Sequence, residues 1–357
     1  MKLTTEEKYR YSRHLLLKEV GLEGQEKLKE AKVLVVGAGG LGCPVLLYLA
    51  AAGVGTIGVI DFDTVDASNL QRQILFSTDD VGRSKAKVAK EKLNANNSFI
   101  EVIAFNEELT NENALEIFSQ FDIIVDGTDN FYTRYMVNDA CLITNKPLVY
   151  GAIHKFEGQV SVFNYQEGPT YRCLFPTPPK AGSISSCSEV GVVGVLPGII
   201  GTQQANEVIK IILGIGKVLS GKLLICNALE SSFMEIKINK TVIEVLNKEE
   251  FSKFDYQVYC NDLMVMGNSI TLPELINLSP DVFVVDVRRE WEQPKLENKQ
   301  VLYAPLQEID GYIHEIPADK EVYVICQHGV RSKVAIEYLE KEYNFTNLIN
   351  IEGGMLG

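Results

Sequence analysis

Between Lys32 and Ala52 an apolar run, a glycine-rich turn and an apolar helical repeat follow one another without a gap. Lys32 to Val36 is short and nearly all branched aliphatic, the composition of a strand buried on both faces. Gly37, Gly39 and Gly42 then spell G-x-G-x-x-G. Leu41 to Ala52 has helical spacing, and Pro44 is admissible in its first turn, where a missing N–H leaves no intrahelical bond unmade. A strand, a glycine turn and a helix in this order commit the chain to a parallel α/β sheet.

The alternation continues. Apolar runs at Ile57 to Ile60, Ile100 to Phe105, Ile123 to Val125 and Leu148 to Tyr150 are separated by helix-like stretches at Lys85 to Asn94, Ala114 to Phe118 and Phe131 to Ile143. This pattern predicts a doubly wound, Rossmann-like sheet. Ahead of it, Thr4 and Glu7 form a capping-box pattern, and an opening helix is expected to run on toward Gly21. After Gly151 the texture changes: Gln159 to Tyr165, Lys222 to Cys226 and Phe233 to Ile238 predict antiparallel strands that extend the sheet. Residues 241–265 are mixed and charged and read as a linker between a domain of residues 1–240 and a second, smaller α/β domain of residues 266–357. That second domain has strands at Asp281 to Val287 and Glu321 to Ile325 and a helix at Ser332 to Tyr343.

A length of 357 residues suits two domains. A net charge of −13 opposes nucleic-acid binding, which needs a concentrated basic surface. Seven scattered cysteines fit thiols in a reducing cytosol better than a disulfide framework. The start lacks an apolar signal core, and the apolar stretch Val192 to Leu213 is interrupted by polar residues, so a soluble, cytoplasmic protein with no membrane partner is expected.

The glycine turn brings backbone N–H groups and a helix N-terminus against a phosphate, and Asp61, at the end of the next strand, is placed for a ribose hydroxyl. Those features fit NAD and ATP equally. The polar run from Asp61 to Gln73, with Arg72 and then Lys85, supplies cations that a triphosphate needs and a dinucleotide does not.

Gly-Ala-Gly-Gly-Leu-Gly, Asp61-Phe-Asp-Thr-Val, Ser-Asn69-Leu-Gln-Arg72-Gln73 and Asp126-Gly-Thr-Asp129-Asn130 together resemble the motifs of the MoeB/ThiF family, from about Tyr9 to Ile238. The resemblance implies ATP-dependent adenylation of the C-terminal Gly-Gly of a ubiquitin-like sulfur carrier such as MoaD or ThiS. It implies that Gly37, Gly39, Gly40 and Gly42 lie against the phosphates and Asp61 holds ribose. Asp63, Asn69, Arg72, Gln73, Lys85 and Asn130 then line the nucleotide, and Asp129 carries Mg2+. Arg13, in Tyr-Ser-Arg-His, matches an arginine that reaches the ATP of a neighbouring subunit, so a homodimer is expected. Taken singly, Arg72 and Lys85 also read as surface cations and Asp129 as the N-cap of the helix that follows.

Cys187 resembles the family's loop cysteine, one able to attack the acyl adenylate or resolve a persulfide; as a free cysteine it equally reads as an inert core thiol. Relatives bind structural zinc through two Cys-x-x-Cys pairs, whereas here the matching stretch is Thr170-Tyr-Arg-Cys173 and no second pair exists, so no zinc is expected.

In the second domain Cys326, Gln327, His328, Gly329, Val330, Arg331 and Ser332 lie between a strand and a helix, where successive N–H groups form an anion nest around the sulfur. The loop resembles that of rhodaneses, with Asp286-Val-Arg288 and Glu352-Gly-Gly-Met355 as further landmarks, although no His-Ile-Pro-Gly-Ala run stands between Glu297 and Ala304. A dual-specificity phosphatase loop is typically one residue longer. The resemblance implies a persulfide on Cys326, supplied by a donor of the cysteine-desulfurase kind. An NAD-dependent oxidoreductase and a non-catalytic partner of an activating enzyme are the other readings of the sequence.

Overall fold

The structure, a computed structural model, describes residues 2–179, 191–243, 245–261, 269–327 and 329–356. These form two compact units, one of residues 2–178 with 191–260 and one of residues 269–356.

The first unit opens with three helices, α1 (Thr5–Arg10), α2 (Ser12–Leu15) and α3 (Gly21–Glu30). Thr4 and Glu7 make the expected capping box. The opening helix is nevertheless broken, because Tyr11 turns inward to accept a hydrogen bond from Asn97 Nδ2 on its hydroxyl (2.8 Å), and Gly21, at φ +54°, begins a helix instead of ending one.

The alternating elements follow: β1 (Lys32–Val36), α4 (Gly42–Ala52), β2 (Thr56–Ile60), α5 (Lys85–Asn96), β3 (Glu101–Phe105), α6 (Ala114–Ser119), β4 (Ile123–Asp126), α7 (Phe131–Thr144) and β5 (Leu148–His154). Next come β6 (Glu157–Phe163), α8 (Tyr171–Leu174), α9 (Val195–Leu213), β7 (Lys222–Asn227) and β8 (Ser232–Lys237). The sheet order is β3-β2-β1-β4-β5-β6-β7-β8; β1 to β5 pair in parallel, and β6, β7 and β8 extend the sheet antiparallel. Successive residues of β1 face opposite sides, Val33 and Val35 into one core and Leu34 and Val36 into the other, which is why the strand is apolar throughout.

The stretch expected as a linker carries helices among its described residues. Two helices, α10 (Lys248–Lys253) and α11 (Tyr256–Asn261), bury Phe251 and Tyr256 in the core beside α6 and α7. Asn111 Nδ2 donates to the carbonyls of Ser252 and Phe254 (3.1 Å each), and the Tyr256 hydroxyl donates to Asp139 Oδ2 (2.9 Å). Burying these aromatic rings outweighs the charge of the intervening residues.

The second unit contains β9 (Ser269–Thr271), α12 (Leu272–Asn277), β10 (Phe283–Asp286), β11 (Gln300–Tyr303), β12 (Val322–Ile325), α13 (Val330–Tyr343) and β13 (Leu348–Glu352). Its sheet is parallel throughout, in the order β11-β10-β12-β13-β9. No helix among the described residues is long and apolar enough to cross a membrane.

Candidate active site

β2 and β4 flank β1, so the carboxyl ends of these three strands border the crevice at which the strand order of the parallel sheet reverses. Gly37 leaves β1 at φ +88°, a conformation that costs other residues a steric clash. A Cβ on Gly42 would stand 1.9 Å from Gly37 O, so the turn closes on itself only with glycine there. Gly40 packs on Pro197 and near Arg72, whereas a Cβ on Gly39 would meet nothing closer than Gln73 Nε2 at 3.8 Å. Gly39 is therefore spared a side chain for a reason other than packing.

Asp61 follows β2 and turns back over this turn. Its Oδ2 accepts the Ala38 N–H (2.8 Å) and its Oδ1 the Asp63 N–H (2.8 Å). Burial pushes the carboxyl pKa up, against the pull of Lys85 and these two donors. Lys85, the first residue of α5, is buried, and its Nζ donates to Asp63 Oδ2 at 2.8 Å. Asn69 closes a single 3-10 turn (Ala67–Asn69), and its carbonyl accepts the N–H groups of Arg72 (3.0 Å) and Gln73 (2.9 Å). Arg72 is half-buried. Gln73 is buried, and its Oε1 has no hydrogen-bond partner among the described residues.

β4 ends in Asp126, whose buried carboxylate accepts from Thr128 N (2.9 Å) and Thr128 Oγ1 (2.6 Å). Arg134 stands 3.8 Å from that carboxylate and donates through Nη2 to Thr128 O (2.8 Å), while Gln204 Nε2 donates to Asp126 O (2.7 Å). The turn carrying Asp129 is thus held from beneath by a buried ion pair and an amide. Asn130, not Asp129, caps α7: its Oδ1 accepts the Thr133 N–H at 2.9 Å. Asp129 is exposed, with capping done by its neighbour.

Gly37, Gly39, Gly40, Gly42, Asp61, Asp63, Asn69, Arg72, Gln73, Lys85, Asp129 and Asn130 thus belong to the turns that follow β1, β2 and β4 and to the start of α5. Arg13 is exposed on α2, which packs on α1 and α3. Cys187 lies outside the described residues. Cys173 accepts on Sγ from the backbone N–H groups of Thr170 and Thr241 (3.4 Å each), which ties α8 to the segment after β8. Arg134 and Gln204 were not singled out from sequence; a glutamine inside the apolar helix α9 was the available signal, since a buried amide must find backbone partners.

In the second unit β12 delivers Cys326 to a buried position. Its Sγ is 3.4 Å from Ser332 Oγ, which donates to Asn350 Oδ1 at 2.7 Å. Gly329 has φ +79°, and a Cβ on Gly354 would lie 2.3 Å from Cys326 O, so the landmark around Glu352 forms the floor of the cysteine loop. Arg288 is wholly buried, bonded to Asp286 through Nε (2.9 Å) and Nη2 (2.7 Å), and reaches Gln327 Oε1 with Nη1 (2.7 Å). Arg331 is bonded through both terminal nitrogens to Glu292, at 2.8 and 2.5 Å. His328 lies outside the described residues. Glu292 and Asn350 had no role in the sequence reading, because their contacts span the fold.

Comparison with known proteins bears on both units. The chain is 42% identical, over 99% of its length and 93% of the other's, to the probable adenylyltransferase/sulfurtransferase MoeZ of Mycobacterium tuberculosis. It is 51% identical to the sulfur carrier protein adenylyltransferase of Thermus thermophilus, over 73% of this chain and 99% of that one. Among solved structures, E. coli MccB with ATP aligns at a TM-score of 0.59 and 26% identity, covering 68% of this chain and 75% of MccB. The model of the ThiF family matches residues 11–243, and the chain accordingly belongs to that family.

Proposed function

We propose that this chain uses ATP to adenylate the C-terminal glycine carboxylate of a ubiquitin-like sulfur carrier, and that it passes on sulfur held as a persulfide on Cys326. The observation that carries the first half is the release of Asp129 from helix capping by Asn130, on a turn braced by Arg134, at the strand ends that also present Arg72 and Lys85. The names of the relatives, sulfur carrier protein adenylyltransferase and adenylyltransferase/sulfurtransferase, support both halves.

The crevice suits ATP. At Gly39 the glycine turn leaves open space through which a phosphate could approach the backbone, Asp61 would accept from ribose hydroxyls, and Gln73 Oε1 is a buried acceptor with no donor among the described residues. Asp129 would hold Mg2+, which when bound neutralises triphosphate charge. The carrier's terminal carboxylate is already ionised at neutral pH, so no general base is required. One of its oxygens bonds to the α-phosphorus as the bond to the β-phosphate breaks, and pyrophosphate leaves. Arg72 and Lys85 stabilise the charge that develops on the leaving group, and the rest of the crevice aligns the two reactants.

The Cys326 persulfide then attacks the acyl carbon and displaces AMP. A second thiol, for which Cys187 is the candidate, attacks the Cys326 sulfur of the acyl disulfide and releases the carrier thiocarboxylate; a cellular thiol reduces the disulfide left behind. The persulfide comes from a donor of the cysteine-desulfurase kind. Arg13 serves the ATP of a second copy in a homodimer, and the exposed Tyr9, Leu16 and Leu17 around it are apolar surface suited to such a contact.

The test is ATP–pyrophosphate exchange with carriers ending in Gly-Gly, wild type against Asp129→Ala. Carrier-dependent exchange that the substitution abolishes is the expected result. ATP binding without exchange on any carrier would sink the adenylation reading.

A further inference from the structure

Glu292 is held at three points. Its Oε1 accepts the Arg289 N–H (2.8 Å) and one Arg331 nitrogen (2.8 Å), and its Oε2 accepts the other (2.5 Å). The side chains of Arg331 and Glu292 are only 14% and 23% exposed, so the pair sits largely out of water, where it is stronger than at a surface. The other two arginines of the adjoining turn are engaged as well, Arg288 with buried Asp286 and Arg289 with Glu308. Every arginine that the cysteine loop and the 286–292 turn contribute is thus paired with a carboxylate.

This matters for what approaches Cys326. A small inorganic sulfane donor such as thiosulfate is a dianion and needs a free, preferably bidentate, cation to replace its water. To recruit Arg331 it must displace a carboxylate anchored to the backbone and leave that carboxylate unpaired. An alkyl persulfide carries at most one negative charge and requires no such exchange. The exposed Trp291, beside Glu292, adds an apolar rim of the kind protein partners bury.

We propose that Glu292, acting through Arg331, sets the donor specificity of Cys326, turning away small sulfane dianions and leaving the thiol to alkyl persulfides presented by a protein. This rests on the sulfurtransferase reading above. In the step concerned the Cys326 thiolate attacks the outer sulfur of R–S–SH, the donor S–S bond breaks, and its electron pair leaves on R–S⁻, so no further oxidant or reductant is needed. With thiosulfate the same attack would release sulfite.

The full chain is loaded in parallel with mercaptoethanol persulfide and with thiosulfate, and cyanide-labile sulfur on Cys326 is read by peptide mass. Glu292→Gln, which keeps the shape and one acceptor oxygen, is expected to shift the ratio of the two loading efficiencies toward thiosulfate by about tenfold, through a lower KM for thiosulfate. Adding Arg331→Met to Glu292→Gln is expected to erase that gain. An unchanged ratio in Glu292→Gln, or an equal loss with both donors, overturns the proposal and leaves Glu292 a brace for the loop. No sulfur on wild-type Cys326 from either donor overturns the sulfurtransferase reading itself, a result distinct from an unchanged ratio.

Discussion

Lys85 Nζ lies 2.8 Å from Asp63 Oδ2, and the two ends of this contact have opposite surroundings: the lysine side chain is 6% exposed and the aspartate 51%. Removing the lysine leaves Asp63 as a carboxylate that water can reach, but it also takes from the half-buried Asp61 the cation that works against its burial. Lys85→Met should therefore lower kcat for pyrophosphate exchange by about 10²-fold or more, as expected for loss of a donor aimed at developing charge. Folding stability should fall by about 1–3 kcal/mol, since Asp61 keeps its two backbone donors but loses that cation. Exchange kinetics and urea unfolding of the same preparation check the two halves.

Gly42 and Gly39 should separate a structural glycine from a ligand-facing one. Gly42→Ala drives a methyl into Gly37 O and should destabilise the first unit by more than about 3 kcal/mol, within the range of severe core substitutions. Gly39→Ala has room and should unfold within about 0.5 kcal/mol of wild type, yet bind ATP more weakly because the methyl occupies the approach to the turn. Calorimetric ATP titration beside thermal unfolding distinguishes them.

Asp139 holds the folded remainder of the expected linker. Its carboxylate is bonded by Arg172 through Nε (2.8 Å) and Nη2 (2.7 Å), and also accepts from the Tyr256 hydroxyl. Asp139→Ala strands a largely buried guanidinium and should cost about 3–5 kcal/mol. Tyr256→Phe removes one hydrogen bond and should cost about 1–2 kcal/mol. Equal costs in denaturant unfolding would show that the guanidinium finds another partner.

Asp80 makes stability depend on acid. Burial pushes its carboxyl pKa up, but hydrogen bonds from Lys92 and from the Ser77 side chain and backbone outweigh that and hold it at about 2. Because the folded value is depressed, the stabilisation is fully present above the unfolded pKa near ~3.9 and is lost as pH falls through the folded value. Urea midpoints measured from about pH 6 down to about pH 2 should fall less steeply for Asp80→Asn than for wild type, and the variant should be the weaker at neutral pH.

Asp286 and Arg288 are both fully buried. Asp286→Asn leaves the guanidinium without its counter-charge and should destabilise the second unit by about 3–5 kcal/mol. Persulfide loading on Cys326 should fail while carrier-dependent pyrophosphate exchange persists, each measured on the full chain.

The parallel sheet and its glycine turn were legible because they depend on local pattern: apolar runs of strand length, helical spacing between them, and glycines where a side chain would strike the backbone of the same turn. The motif residues from Asp61 to Lys85 were legible for the same reason, as they sit on the turns that follow those strands. The break in the opening helix and the two helices within residues 241–261 were not legible because they depend on distant partners, Asn97 for Tyr11 and Asp139 for Tyr256. The sequence by itself determined the order of the elements and which residues carry charge and thiol at the strand ends. Only the tertiary structure decided which of those charges are spent on one another: Asn130 relieves Asp129 of capping, Arg134 braces its turn, and Glu292 occupies Arg331. Pairings of this kind join residues far apart in the chain or choose between adjacent ones, and their strength depends on how much water the fold excludes, which no local pattern records.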